Sequence, residues 1–393
     1  MGKLLRRYWQ PVGAIYEFHR MAAKDVRFFG EDLVLFRDKS GKFGLVSRNC
    51  SHRGTSLALG IPEAHGLRCA YHGWLFDHDG NCVSQPFENP NNEKFRQSCR
   101  IGSYPVVPKA GLLWAYFGPS PAPCLPDWDF YSSPGYKEIN FATVPCNWLQ
   151  CQENSMDPIH FEWLHDYAMG SLFGKRTDRE GPVRRHARID FDEFEWGFVY
   201  RRLWEGETEA EPSWKIGRVS LWPNCFYPGG PMWHVPIDDV NTFIVVLTLL
   251  PLPNSITTQQ DTIPCWQVST QNEKGQPLAG QQQQDMLVFA GQGAIQNRLN
   301  EHLGTSDAGI AMFRKRLKTE LQALEEGRDP KGVLRDPARN HRIPLPAYEV
   351  HGTINPHFAP VFAGRPKEVI EEYVKFCRKQ QSPVTRSQEL PKD

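Results

Sequence analysis

The sequence predicts an α+β chain, with a small antiparallel β domain at the front and a larger region of mixed strands and helices behind it. Three observations carry this expectation. Up to residue 118, short strand-like runs ("EDLVLFRD", "KFGLVSR", "LRCAYHGWLFD", "GLLWAYFG") alternate with turn residues such as Asp38-Lys39-Ser40-Gly41 and Asp77-His78-Asp79-Gly80, the pattern of an antiparallel sheet. The Pro-rich stretch "GPSPAPCLPDW", residues 118–128, then marks a boundary, dividing the chain into domains at 1–125 and 126–393. Behind it, strands and loops alternate with two helix-compatible segments, 147–165 and 281–327. The apolar run "FIVVLTLLPLP" from Phe243 is too short to span a bilayer and reads as a buried strand. The closing "QQSPVTRSQELPKD" reads as a frayed tail.

At 393 residues, 40% hydrophobic and 23% charged, the chain is long enough for two or three globular domains. Forty-five basic residues balance forty-five acidic ones, so nothing favours nucleic acid or an anionic membrane as a partner. The opening "MGKLLRRYWQPVGAIYEF" has no sustained apolar core behind its basic residues, so no secretion signal is expected. Ten cysteines without a regular framework then point to reduced thiols and a cytoplasmic location. Cys82, Cys99, Cys124, Cys146, Cys151, Cys225, Cys265 and Cys377 are expected to be ordinary core or surface thiols.

The stretch "NCSHRGTSLALGIPEAHGLRCAYHGW", residues 49–74, holds two half-sites, Cys50-x-His52 and Cys69-x2-His72. Thiolate and imidazole suit a structural zinc or an iron–sulfur cluster. Zinc more often uses Cys-x2-Cys with His-x3–5-His. A [2Fe–2S] cluster carrying two Cys on one iron and two His on the other instead needs one thiolate and one imidazole from each half-site, as here. Gly54 and Gly73 allow the tight backbone that points amides at sulfides, and Tyr71 and Trp74 can screen the cluster from water. Such a cluster only moves electrons, so a consumer for them is expected elsewhere in the chain.

"QENSMDPIHFEWLH" offers Asn154, Asp157, His160 and His165. On an ideal helix His165 lies about 140° around from His160, and Asp157 about 60°. Both histidines can reach one ion only if the helix is broken, bulged or kinked between them, which Pro158, Phe161 and Trp163 make plausible. Two imidazoles and one carboxylate form the facial triad of non-haem Fe(II) oxygenases. Asp285, at the head of an apolar helical stripe in "QQQQDMLVFAGQGAIQNRL", is a candidate, and its alternative role is that of a helix N-terminal carboxylate. Glu153 and Asp261 are weaker rivals.

Residues 49–74 resemble the Rieske signature of bacterial oxygenases, departing mainly at Ser51, where proline is usual. The segment around 157–165 resembles the Asp-x2-His-x4-His iron motif of Rieske non-haem iron oxygenases, and Asp285, Val288 and Gln292 resemble that family's Asp-x2-Val-x3-Gln segment. The likeness runs from "RRYWQPVGA" to "RDPARN", residues 6 to 340, and "FDEFEWGFVYRRL" and "EHLGTSDAGIAMFRKRL" place it in the phthalate-dioxygenase-like branch, nearest to aryl ether O-demethylases of lignin-derived aromatic acids. The resemblance implies an antiparallel β Rieske domain followed by a helix-grip domain holding a mononuclear iron. Cys50, His52, Cys69 and His72 would hold the [2Fe–2S] cluster. His160, His165 and Asp285 would hold the Fe(II). Asp157 would bridge His160 to a cluster histidine, His72, of a neighbouring subunit, with Asn154 near the iron. The chain would be the oxygenase component of a homotrimer or of stacked trimers. NADH-derived electrons would arrive from a flavin and iron–sulfur reductase or a ferredoxin. The co-substrate would be O2 and the substrate a small aromatic acid, undergoing O-demethylation or ring cis-dihydroxylation.

A carboxylate substrate would want an arginine. "GKRTDREGPVRRHARID" supplies Arg176, Arg179, Arg184, Arg185 and Arg188, against the plainer reading of a solvated basic loop. Trp222, Asn224, Phe226, His234 and the glutamines at 281–284 are further pocket candidates. Three other functions remain open from the residues: an electron-transfer protein without catalytic iron, a zinc-stabilised binding module, and an oxygenase of quaternary amines, which would need an aromatic cage.

Overall fold

Aspartates close the turns at the front of the chain. Asp38 Oδ1 accepts from Ser40 Oγ (2.6 Å) and the Lys42 amide (2.9 Å), and Asp77 Oδ1 accepts from the amides of Asp79 and Asn81. Gly41 and Gly80 take the left-handed conformation these turns need, φ +91° and +79°. The computed structural model describes residues 2–133, 135–168, 184–227, 230–250, 260–269, 281–346 and 371. Ahead of residue 118 it holds antiparallel sheets built between such turns. Ala23–Phe28, Glu31–Arg37, Phe43–Ser47 and Ser103–Tyr104 form one. Ile61–Glu63, Gly66–Arg68, Leu75–Phe76 and Cys82–Ser84 form a smaller one. Trp9–Ala14, Leu112–Tyr116 and Val106–Lys109 form a third. A Cβ on Gly66 would lie 2.1 Å from the Phe76 carbonyl oxygen, so this hairpin can close only on glycine.

The second part is organised by one long ladder. Tyr136–Val144 and Thr242–Leu250 pair antiparallel over nine residues, from Tyr136 opposite Leu250 to Val144 opposite Thr242. The apolar run from Phe243 is therefore a strand as far as Leu250, buried at Ile244, Val245, Val246 and Leu247, as its composition suggests. An eight-stranded sheet grows around it in the order His186–Phe194, Gly197–Trp204, Arg218–Leu221, Cys225–Tyr227, Met232–Pro236, Thr242–Leu250, Tyr136–Val144, Cys265–Gln267. Pairing is antiparallel except at the last strand.

Alternation along the strands gives this sheet two apolar faces. Val219, Trp233, Val235 and Val245 pack with Val12, Leu33, Leu35 and Trp114 of the front sheets. Met232, Ile244 and Val246 face the other way and pack with Met286 and Phe289 of the helix Gln281–Gly291. Burying each such side chain stabilises the fold by about 1.5–3 kcal/mol. The chemistry-bearing helices thus sit on one face and the cysteine-bearing sheets on the other side of the molecule's core.

One expectation needs correction, and the irregular helix expected around the two histidines is present. The helical region anticipated over 281–327 is two helices, Gln281–Gly291 and Ala308–Glu325. Gly291-Gln292-Gly293 stops the first, with Gly293 at φ +90°. The segment 147–165 is α-helical only over Trp148–Glu153. It passes through a 3-10 turn, Asn154–Met156, and an extended Asp157 before a π-helix, Phe161–Ala168. Nine cysteines are free, whereas Cys377 and the tail from 380 lie outside the described residues. No helix among the described residues is long and apolar enough to cross a membrane.

Candidate metal centres

The two Cys/His half-sites are one turn used twice. The Cys50 amide donates to the Thr55 carbonyl (2.9 Å) and the Gly54 amide to the Cys50 carbonyl (2.9 Å). In the second loop the Cys69 amide donates to Trp74 O (2.8 Å) and the Gly73 amide to Cys69 O (3.0 Å). Gly54 and Gly73 match at φ +76° and +74°, a conformation only glycine enters freely. The Arg68 guanidinium, held by Glu63, donates to Gly73 O and pins the second loop. Ser51, where the resembled signature has proline, donates to the Cys99 carbonyl at 2.6 Å, so a hydrogen bond fixes this loop.

The loops bury the two thiols and push the two imidazoles outward. Cys50 and Cys69 are each 2% exposed. The His52 and His72 rings meet at 4.5 Å, with His52 stacked on Trp74 and His72 against Tyr71. Around a single zinc, bonds of about 2.0–2.3 Å would bring all four ligand atoms within about 4 Å of one another. The four do not converge so: the triad described next is the one group of three such residues within 4.8 Å among the described residues. A thiol pair inside and an imidazole pair outside fit the two ends of a [2Fe–2S] diamond instead.

The π-helix resolves the His-x4-His spacing. Its hydrogen bonds run from residue i to i+5, so residues five apart lie above one another. His160 and His165 accordingly face together, with ring centroids 5.1 Å apart. Asp285 reaches them from the middle of Gln281–Gly291, beyond that helix's first turn, so it is not a helix N-terminal carboxylate. Its Oδ1 lies 3.1 Å from His165 Nε2 and 3.7 Å from His160 Nε2. His165 Nε2 and Asp285 Oδ1 are buried with no hydrogen-bond partner, a costly arrangement that a divalent cation between them relieves. Two neutral nitrogens and one carboxylate oxygen suit Fe(II).

The surroundings complete the set. Asp157 Oδ1 accepts from the Ile159 amide (2.9 Å), and Oδ2 lies 3.5 Å from His160 Nδ1. Burial pushes its carboxyl up, and the His160 contacts outweigh that, leaving it below the usual range. Asn154 Nδ2 lies 3.3 Å from His160 Nε2. The rivals for third ligand are elsewhere: Glu153 is ion-paired to Arg298 and Arg314, which also holds Glu301, and Asp261 is exposed.

Three braces support the site, and of their members the sequence singled out only Gln284 and His234, as pocket candidates. Gln284 Oε1 lies 3.0 Å from His165 Nδ1. Glu162, between the histidines, accepts from the His186 amide (2.5 Å) and faces its Nδ1 (2.7 Å), tying the π-helix to the sheet. Gln152 Oε1 lies 2.8 Å from His234 Nδ1, and its amide donates to Ser155 and Ser220, fixing the end of Trp148–Glu153. His234 is wholly buried, and burial pushes its pKa down to about 3. The folded state thus refuses a proton that the unfolded chain takes up below pH about 6.5. Stability is complete above that value and falls towards pH 3 by up to about 1.4 kcal/mol per pH unit. His234→Asn should flatten this acid limb in thermal unfolding between pH 7.5 and 5; an unchanged slope would exclude His234 as its source.

The other pocket candidates divide. Arg184, Arg185 and Arg188 are exposed, with Arg184 paired to Glu207 and Arg188 to Glu209, whereas Arg176 and Arg179 lie outside the described residues. Trp222 donates to Tyr8 and Asn224 to Gln10, while Phe226 lies in the core under Met286. Two arginines that the sequence did not single out lie nearer the triad. The Arg202 and Arg218 guanidiniums are 4.5 and 5.3 Å from the Phe161 ring centroid, and that ring is 4.6 Å from His160 and 5.0 Å from His165.

Residues 8–105 match the Rieske [2Fe-2S] domain family. Over 352 residues the chain is 46% identical to the 5,5'-dehydrodivanillate O-demethylase oxygenase subunit of Sphingobium sp., covering 88% of this chain and 82% of that one. It is 36% identical over 360 residues to the phenoxybenzoate dioxygenase subunit alpha of Ectopseudomonas oleovorans, covering 84% of each. In fold it is similar to the terminal oxygenase of carbazole 1,9a-dioxygenase from Nocardioides aromaticivorans IC177, with TM-score 0.56, 19% identity, and coverage of 84% of this chain and 98% of that one.

Proposed function

Because the chain belongs to the Rieske non-haem iron oxygenases, as a catalytic oxygenase component, we propose that it hydroxylates an aromatic carboxylic acid, by O-demethylation of an aryl methyl ether. The observation that carries the reading is the convergence of His160, His165 and Asp285 on one point from segments over a hundred residues apart. A protein that only relays electrons, or a zinc-stabilised module, has no need of it. When bound, the cluster supplies single electrons and the ferrous iron activates O2. Cys50, Cys69, His52 and His72 would hold the former, and His160, His165 and Asp285 the latter. The π-helix turns the two imidazoles to face together, as a site of two histidines and one carboxylate that holds Fe(II) would need. Asp157 orients His160, and Asn154 donates beside it.

The substrate class rests on two supports. Two relatives that share most of its length are named for dehydrodivanillate and phenoxybenzoate. Arg202 and Arg218 place positive charge one aromatic ring away from the triad, on the sheet face that Tyr200 shares with the helices, where a carboxylate gains charge-assisted hydrogen bonds. Arg218→Gln should therefore raise KM for a methoxybenzoate by about 10- to 100-fold, and leave KM for its carboxamide analogue nearly unchanged. Equal effects on both would exclude a carboxylate contact.

Electron delivery by a reductase or ferredoxin and oligomeric assembly come with the family; a ferredoxin complex is known for a carbazole 1,9a-dioxygenase oxygenase of 19% identity and TM-score 0.53, matching 86% of this chain and 93% of that one. In our reading the donor is a flavin and iron–sulfur reductase oxidising NADH, and the assembly is a cytoplasmic homotrimer built head to tail. Exposed Tyr71 packs against His72 at the imidazole end, and exposed Trp163 lies in the chain between His160 and His165. Pairing one patch with the other buries both and repeats by rotation. The division at residue 125 belongs to the same proposal. Incubation with NADH, a reductase and methoxylated aromatic acids should release one formaldehyde per NADH oxidised. A cis-diol without formaldehyde would shift the assignment to ring dihydroxylation, and absence of NADH-linked O2 uptake on every aromatic acid would refute both.

A further inference from the structure

His160 and His165 differ in what stands behind them. His160 Nδ1 faces the Asp157 carboxylate at 3.5 Å, whereas His165 Nδ1 faces the Gln284 side-chain oxygen at 3.0 Å. The second contact is the better shielded: Gln284 is 2% exposed and the His165 side chain 9%, against 30% for the Asp157 side chain. Gln284 and Asp285 are consecutive on one helix, and successive helical side chains diverge by about 100°. Asp285 therefore reaches the His165 Nε2 side while Gln284 reaches round to the far side of the same ring. An imidazole can give a metal only the nitrogen that carries no proton. With Nε2 given to an ion that Asp285 also holds, the proton would sit on Nδ1 and be donated to Gln284 Oε1, which lies 3.0 Å away.

We infer that Gln284 is a positioning residue that fixes the His165 tautomer and ring angle for Fe(II), and that its neutrality is part of its function. Asp157 and Asp285 together carry two negative charges, which balance a ferrous ion. A third carboxylate at 284 would still accept from Nδ1 but would make His165 a stronger donor and remove its difference from His160. The chain thus backs one imidazole with a charge and the other with a dipole, making them unequal donors. This inference rests on the reading of His160, His165 and Asp285 as the iron site.

The test compares the full chain with Gln284→Leu and Gln284→Glu, each retaining the cluster's visible spectrum as a check of folding. Iron-stripped protein is titrated with Fe(II), and nitric oxide is then added as an EPR probe of the ferrous site. Gln284→Leu, which has no acceptor, should weaken Fe(II) binding about 10- to 100-fold. Gln284→Glu, which restores an acceptor, should recover binding and alter the rhombicity of the nitrosyl signal. Unchanged affinity and signal in Gln284→Leu would overturn the inference. So would an equal loss in both variants, which marks a packing role. If the wild-type chain itself takes up no Fe(II) beyond its cluster, the iron-site reading fails first.

Discussion

Asp285→Ala should strip the mononuclear iron from the protein and leave the [2Fe–2S] cluster in place. Among the described residues, Asp285 brings the one carboxylate that converges with both imidazoles, 3.1 Å from His165 Nε2 and 3.7 Å from His160 Nε2. Without it a divalent ion would rest on two neutral imidazoles in a site where water solvates it poorly. Affinity should therefore fall by more than the about 100-fold that losing a partner of a metal-bound imidazole can cost, and product formation should vanish with it. The cysteine loops have their own core of Val34, Phe36, Leu67 and Phe76 and should be unaffected. Metal analysis with the visible spectrum checks this: iron should drop by one per chain while sulfide and the cluster bands stay constant. Full iron content in Asp285→Ala would mean that another group is the third ligand.

Asp157→Asn should give the opposite separation, with both centres retained and turnover lost. Asparagine keeps an oxygen for the Ile159 amide but removes the charge beside His160 Nδ1. The ring then loses the carboxylate that holds its proton and angle, and the exposed edge of Asp157 loses the group proposed to meet His72 of a neighbouring chain. Substrate-dependent O2 uptake should fall at least about 100-fold, with three irons and two sulfides per chain still present and the cluster still bleached by dithionite. Near-normal uptake would refute the bridging role. Loss of iron would show that Asp157 serves only to hold His160.

Much of the site could be read along the chain because its chemistry is local. The twin turns at Cys50–Gly54 and Cys69–Gly73 each close over five residues on a left-handed glycine, so residue order nearly dictates them. His160 and His165 could share an ion only on a distorted helix, and Phe161–Ala168 is a π-helix. The rest depended on distance. Nothing near Glu153 announces that Arg298 and Arg314 hold it, and nothing near Arg202 or Arg218 announces Phe161. The anticipated single helix over 281–327 breaks at Gly291-Gln292-Gly293, where a glycine pair outweighs the helix-forming residues on either side.

By itself, then, the sequence determined the half-site loops, the turns, the buried central strand and the need for an irregular helix, since each is set by backbone sterics and side chains a few residues apart. Only the tertiary structure decided which carboxylate completes the triad, which glutamine backs His165 and which arginines stand close by. Those choices follow from the register of Tyr136–Val144 against Thr242–Leu250 and from which face of that sheet receives Met286 and Phe289. Burial of apolar surface fixes that docking, and it acts between segments that are neighbours in space and strangers in sequence.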